Sequence, residues 1–207
     1  RDGKIHMDPF EPENSLTMIG VLTDQDVERH FPFDHCDVPN QQHFYEQVQW
    51  FLDEATILIC HNAAYDLMWL WESGFKYDGP VFDTMLAEYV LQRGIKEPLS
   101  LEACAERYEL DTKKQDTLKE YFKQGYSTRD IPYNELCEYL SADLHATQQL
   151  CDKQVKRLHN CDDAGLLNTV VLTNEVAVCL ARIYQRGFKV DLSALDDVRT
   201  EFDFFFF

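Results

Sequence analysis

At 207 residues, with 45% hydrophobic and 13% aromatic content, the chain can build a full core and has room for one domain plus part of another, which excludes a protein disordered by composition. Its 37 acidic and 19 basic side chains give a net charge of −18, which weighs against free-standing, tight binding of duplex nucleic acid. The seven cysteines form no CxxC pair, and Cys60, Cys104 and Cys179 sit among apolar neighbours, as expected of reduced thiols in the cytoplasm. No apolar run is read as reaching the ~20 residues of a membrane span, and no signal-peptide pattern is present, so no membrane is expected.

Arg1 to Asn14 is polar and broken by Pro9 and Pro12, which predicts a loop. Leu16 to Thr23 reads as a strand, Asp24-Gln25-Asp26 as a turn, and Arg29 to Phe33 as its hairpin partner. Asn40 is placed to cap a helix running to Glu54, with Phe44, Val48, Phe51 and Leu52 on one face. The β-branched run Thr56 to Cys60 predicts a buried strand. Directly after it, Leu67, Leu70 and Trp71 recur at helical spacing, so His61-Asn62-Ala63-Ala64-Tyr65-Asp66 carries the chain from strand into helix. Asp66 then stands in the first turn, where a carboxylate suits the positive end of the helix.

Val81-Phe82 is a second short strand, Asp83 opens a helix ended by Gly94, and Ser100 caps another over Leu101 to Tyr108. Leu110 to Arg129 is a charged connection around a short helix, Thr117 to Lys123. A long helix is predicted from Pro132 to His159. After a boundary near Asn160 to Gly165, another spans Leu166 to Arg186. Gly187 to Asp191 leads to a capped start, Asp191-Leu192-Ser193. The terminal run Phe204–Phe207 is an aggregation hazard and reads as an artefact. No internal repeat is present, and the alternation of strands and helices places the chain in the α/β class.

On the long helix, Tyr139 and Asp143 are four residues apart and share a face. Alone, such a pair is an ordinary surface feature, and Asn62 and Asp66 are residues that helix starts prefer. The ordered set is more specific: Asn62-x-x-x-Asp66, then Asp83-Thr84-Met85-Leu86-Ala87-Glu88-Tyr89, Leu99-Ser100-Leu101 and Tyr139-x-x-x-Asp143. It resembles the DnaQ-like 3′–5′ exonucleases with a tyrosine in their third motif. With Tyr121-Phe122-Lys123-Gln124-Gly125, Ile131-Pro132-Tyr133 and the stretch Asn174 to Asp191, the chain more closely resembles the proofreading domain of phage-type family A DNA polymerases.

The resemblance implies an RNase H-like α/β fold, a mixed central sheet flanked by helices. It implies an exonuclease domain over residues 1–160 and the helical beginning of a polymerase domain over 161–207. The implied reaction is hydrolysis of the 3′-terminal phosphodiester of single-stranded or frayed DNA with two Mg²⁺ (or Mn²⁺) ions. Asp143 would ligate the ion that carries the nucleophilic water, Asp66 would hold the second through water, and Tyr139 would orient the attacking water. His61, Asn62 and Tyr65 would bind the terminal nucleotide, Tyr65 by packing or stacking. Asp83 is read as a helix cap. The implied partners are a single-stranded DNA 3′ end and the remainder of the polymerase chain, in a monomer in the cytoplasm (the host's, if phage-encoded). The alternatives are an exoribonuclease resembling RNase D, which shares His-x-x-x-Tyr-Asp, and a non-catalytic module that binds strand ends or braces a polymerase.

The family's first motif, Asp-x-Glu on the first strand, is where the pattern departs. The only Asp-x-Glu is Asp26-Val27-Glu28, in the turn after the first predicted strand. The chain is therefore expected to begin after the motif-bearing strand, to hold two of four carboxylates, and to be inactive or nearly so. A zinc site from His30, His35, Cys36 and His43 fits no ligand spacing. Lys113, Lys114, Lys119, Lys123 and Arg129 form the one locally basic segment, a solvated face or a path for the single strand.

Overall fold

Thr23 closes the first turn: Val27 donates its N–H to the Thr23 hydroxyl (3.1 Å) and Asp26 takes a positive φ of 57°. That turn joins β1 (Met18–Leu22) to β2 (Glu28–Pro32) in an antiparallel hairpin whose register runs from Met18↔Pro32 to Leu22↔Glu28. The computed structural model describes residues 8–39, 41–110, 117–160 and 164–206. After the hairpin come α1 (Gln42–Glu54), β3 (Leu58–Cys60), α2 (Ala63–Glu72), β4 (Val81–Asp83) and α3 (Thr84–Leu91). The rest is helical: α4 (Leu101–Arg107), α5 (Thr117–Lys123), a 3₁₀ turn at Thr128–Asp130, α6 (Tyr133–His159), α7 (Ala164–Arg186) and α8 (Leu192–Phe206).

The α/β class and the flanking helices are as predicted. Strands β3 and β4 pair in parallel, Leu58↔Val81 to Cys60↔Asp83. The expected mixed sheet takes the form of two two-stranded sheets, one antiparallel and one parallel, among the described residues. Ser100 caps α4 as predicted, accepting from the Ala103 N–H, and Asp191 accepts from Ser193 and Ala194 at the start of α8. Asn40 lies outside the described residues, and the N-cap position of α1 is Gln41, extended and without a side-chain bond.

The main core joins both sheets to α1 and α2 through Phe31, Val48, Leu52, Leu67, Phe75 and Tyr77, with Tyr45 stacked on Phe75 at 4.2 Å. Smaller clusters gather Ala87, Leu91, Leu158 and Val170 between α3, α6 and α7, and Leu118, Ile131 and Leu136 beside α5. Gly20 sets how closely α6 lies on β1. A Cβ there would stand 2.7 Å from Leu140 and 2.9 Å from Leu144, far inside van der Waals contact.

Helix α7 corrects one sequence expectation. Gly165–Arg186 is 22 residues with a mean hydropathy of 1.5, long and apolar enough to cross a membrane by length and composition alone. Its polar side chains nevertheless fasten it to the domain. Asn174 donates to the Val81 carbonyl (3.2 Å), Gln185 to Glu72 (2.8 Å), and Arg182 pairs with Asp78 while lying 4.4 Å over the Trp71 ring.

Candidate active site

The corner where β4 passes into α3 organises the site. Asp83 is 1% exposed, and its carboxylate accepts from four backbone N–H groups. Met85 (2.9 Å) and Leu86 (3.3 Å) belong to the helix it opens; Asn62 (3.0 Å) and Ala63 (2.8 Å) belong to the start of α2. Asp83 is therefore a cap, as predicted, but for two helices at once. Asn62 turns into α2 through a left-handed conformation (φ 74°, ψ 55°), which asparagine tolerates. Its exposed side chain makes no cap hydrogen bond, because Asp83 takes that role.

His61 is held on both sides. Its Nε2 donates to the Leu99 carbonyl (2.9 Å) and its Nδ1 meets the Thr84 hydroxyl (2.9 Å), while burial lowers its pKa. Tyr65 is half-buried, with its ring edge-on to Trp69 at 6.3 Å. Asp66 keeps a solvent-accessible face, yet the protein crowded around it desolvates the carboxylate and lifts its pKa to about 7. A hydrogen bond from the Cys60 thiol opposes that rise and the charge of Asp83 adds to it. Cys60 is buried and its thiol is pushed well up, so it remains a proton donor.

On α6, desolvation raises the half-buried Asp143, and the hydrogen bond from Tyr139 works against the rise. Desolvation, the Asp143 charge and that bond together push Tyr139 to about 12. The predicted residues thus form two neighbourhoods. Asn62, Tyr65 and Asp66 share the β3–α2 corner with His61, and Tyr139 and Asp143 share one face of α6. Helix α6 packs against both β1 and β3.

Residues 8–159 match the 3′–5′ exonuclease family of the A-type DNA polymerases. The chain belongs to this family. It is similar to DNA polymerase I of Synechocystis sp. (strain ATCC 27184 / PCC 6803 / Kazusa), with 29% identity over 139 residues, 66% of this chain and 14% of that protein. The chain thus spans 14% of the length of that curated relative.

Exonucleases of this family use divalent metal ions, and the donor chemistry can be tested against the geometry. Among the described residues, neither Asp66 nor Asp143 forms an ion pair with Lys, Arg or His. Desolvated carboxylates with no cation of their own suit a hard, oxygen-seeking ion. The number of donors is small, since among the described residues no group of three or more His, Cys, Asp or Glu side chains gathers around one point. The donor type fits, with one carboxylate from each neighbourhood.

The exonuclease's one Asp-x-Glu stands elsewhere. Glu28 approaches His30 (2.9 Å) and His145 (3.1 Å), and Gln148 reaches Asp26 (3.5 Å). At 3.6 residues per turn, His145 is rotated about 200° around α6 from Asp143, so Asp26 and Glu28 lie on another side of the helix. The basic segment is also accounted for: Lys119 pairs with Glu102 (3.5 Å), Lys123 with Glu120 (2.8 Å) and Arg129 with Asp34 (3.3 Å). Lys113 and Lys114 lie outside the described residues. The zinc candidates serve packing: His35 bonds the Ile131 carbonyl (2.9 Å) and His43 packs on Phe44 (4.6 Å). Sequence reasoning missed Cys60 beside Asp66, which depends on the path of the turn from β3 into α2, and the second helix held by Asp83, which depends on the β3–β4 register. A polar residue ending each short strand was the only available signal.

Proposed function

We propose that this chain hydrolyses the 3′-terminal phosphodiester of single-stranded or frayed DNA, as the proofreading exonuclease of a family A DNA polymerase. One observation carries the reading. Asp66 and Asp143 are carboxylates on rigid helices, both desolvated and without a cationic partner among the described residues, in a chain of the 3′–5′ exonuclease family. They would hold two Mg²⁺ or Mn²⁺ ions, which when bound supply activation of water and stabilisation of the leaving 3′ oxygen.

The chain's own residues fill the remaining roles. Tyr139 is excluded as a general base near neutral pH by its pKa of about 12. It stays protonated beside Asp143, and its oxygen lone pairs can accept a hydrogen bond from a water and so fix that water's orientation. The exposed Asn62 amide and the Tyr65 ring contact the terminal nucleotide. His61, with both nitrogens engaged, holds the loop that presents them. Two carboxylates carry less charge than two divalent ions, so the isolated chain is expected to be a weak nuclease.

Residues 161–207 would begin the polymerase domain. The outer side of α7 leaves Leu172, Leu180 and Tyr184 exposed, and α8 exposes Leu192, Leu195 and Phe202. Apolar stripes of this extent mark a covered surface, and the remainder of the polymerase chain is the occupant that the reading requires. The domain would act within a monomer in the cytoplasm.

The test is exonuclease activity of the natively encoded full-length protein on a labelled single-stranded oligonucleotide in Mg²⁺. Asp66→Ala and Asp143→Ala should each abolish release of the 3′ nucleotide, with DNA preferred over RNA. Undiminished release by either variant would overturn the reading, and a preference for RNA would return the chain to exoribonuclease chemistry.

A further inference from the structure

Asp66 and Asp143 stand on different helices, so their joint use requires α2 and α6 to be held in a fixed relation. Both helices are fastened to one corner, Asp83-Thr84. On one side Asp83 takes the N–H groups of Asn62 and Ala63 at 3.0 and 2.8 Å, which fixes the start of α2 one turn before Asp66. On the other side the Thr84 carbonyl accepts from the Gln154 side chain of α6 at 2.9 Å, and Gln154 also donates to Glu88 at 3.1 Å. Thr84, Glu88 and Gln154 are all 0% exposed. Glu88 is completed by Arg107 (2.9 Å) and the Tyr108 hydroxyl (2.7 Å), so the fastening has no loose member on the carboxylate side.

The apolar packing around Leu91 and Leu158 holds α6 close to α3, and the buried, directional hydrogen bonds of Gln154 fix its register there. We propose that Asp83, Thr84 and Gln154 are positioning residues for the hydrolysis, setting the placement of Asp66 relative to Asp143 through a shared corner that touches neither substrate nor ion. This rests on the nuclease reading of those two carboxylates. A merely structural role would cost stability alone; a positioning role also changes metal affinity and turnover in a protein that remains folded.

The test uses Asp83→Asn and Gln154→Met in the natively encoded full-length protein, with Asp66→Asn and Asp143→Asn alongside. Folding is checked by near-UV circular dichroism and a cooperative melt, Mn²⁺ binding by the loss of its free-ion EPR signal, and turnover on a single-stranded oligonucleotide. Gln154→Met should stay folded, lose about 10- to 100-fold in Mn²⁺ affinity and fall in kcat with KM for DNA unchanged. Asp83→Asn should lose metal affinity similarly; if it does not fold, Gln154→Met alone decides. Folded variants with wild-type Mn²⁺ affinity and kcat, beside inactive Asp66→Asn and Asp143→Asn, overturn the positioning inference and leave the nuclease reading standing. Metal binding and turnover retained by Asp66→Asn and Asp143→Asn overturn the nuclease reading itself.

Discussion

Tyr139 and Asp143 stand one turn apart on α6, and the interaction between hydroxyl and carboxylate acts on the two groups in opposite senses. It opposes the desolvation that raises Asp143 and adds to the effects that push Tyr139 to about 12. The tyrosine is thereby a fixed donor rather than an acid or base in the working range.

The pH profile of the exonuclease should reflect that. Between pH 7 and 11 no inflection from a tyrosine is expected, and Tyr139→Phe should lower the rate by about tenfold or more without changing the profile's shape. Steady-state rates across this range provide the check. A break near pH 10 that vanishes in Tyr139→Phe would contradict the assignment.

Asp66 makes a second pH-dependent contribution, this time to stability. Its folded pKa of about 7 lies above the ~3.9 of an unfolded aspartate, so the folded state binds the proton more tightly between those values. The contribution is full below about pH 4 and is lost as pH rises through about 7. In EDTA the wild-type melting temperature should therefore fall more from pH 4 to 8 than that of Asp66→Asn. Parallel curves for the two proteins would show that the carboxylate is not desolvated as described.

Gly20 couples packing to the site. Gly20→Ala places a methyl 2.7 Å from Leu140 and 2.9 Å from Leu144, and α6 must move to admit it. A loss of about 1 to 3 kcal/mol in urea unfolding is expected, together with reduced exonuclease rate because the displaced helix carries Tyr139 and Asp143. Unchanged stability would mean that β1 and α6 are less tightly apposed.

Charge reversal at Lys119, Lys123 and Arg129 should leave KM for single-stranded DNA unchanged, since each cation already faces a carboxylate. Surface pairs of this kind contribute little to stability, about 0–1 kcal/mol each. A raised KM measured on an oligonucleotide would instead place the strand along α5.

Much of this was legible in the sequence because it depends on local chemistry. Helical periodicity gave α2, α6 and α7, the α5 bounds Thr117–Lys123 agree with the prediction, and Ser100, Asp83 and Asp191 cap where their types suggested. What stayed hidden is set by how segments meet in the fold. Asp83 reaches Asn62 and Ala63 because it lies opposite Cys60 in the β3–β4 register, and Cys60 meets Asp66 across the turn from β3 into α2. The apolar character of α7 was underestimated because Asn168, Asn174 and Glu175 interrupt its runs, and a window average passes over them.

For the proposed hydrolysis, Asp66 and Asp143 must share one pair of ions. The most direct measurement is a crystal structure of the natively encoded full-length protein with Mn²⁺ and a hydrolysis-resistant single-stranded oligonucleotide, using anomalous scattering to locate manganese. Two peaks about 4 Å apart are expected, one in contact with Asp143 and the other beside Asp66. Manganese at only one of these carboxylates, or the two turned toward separate regions of solvent, would contradict the shared site.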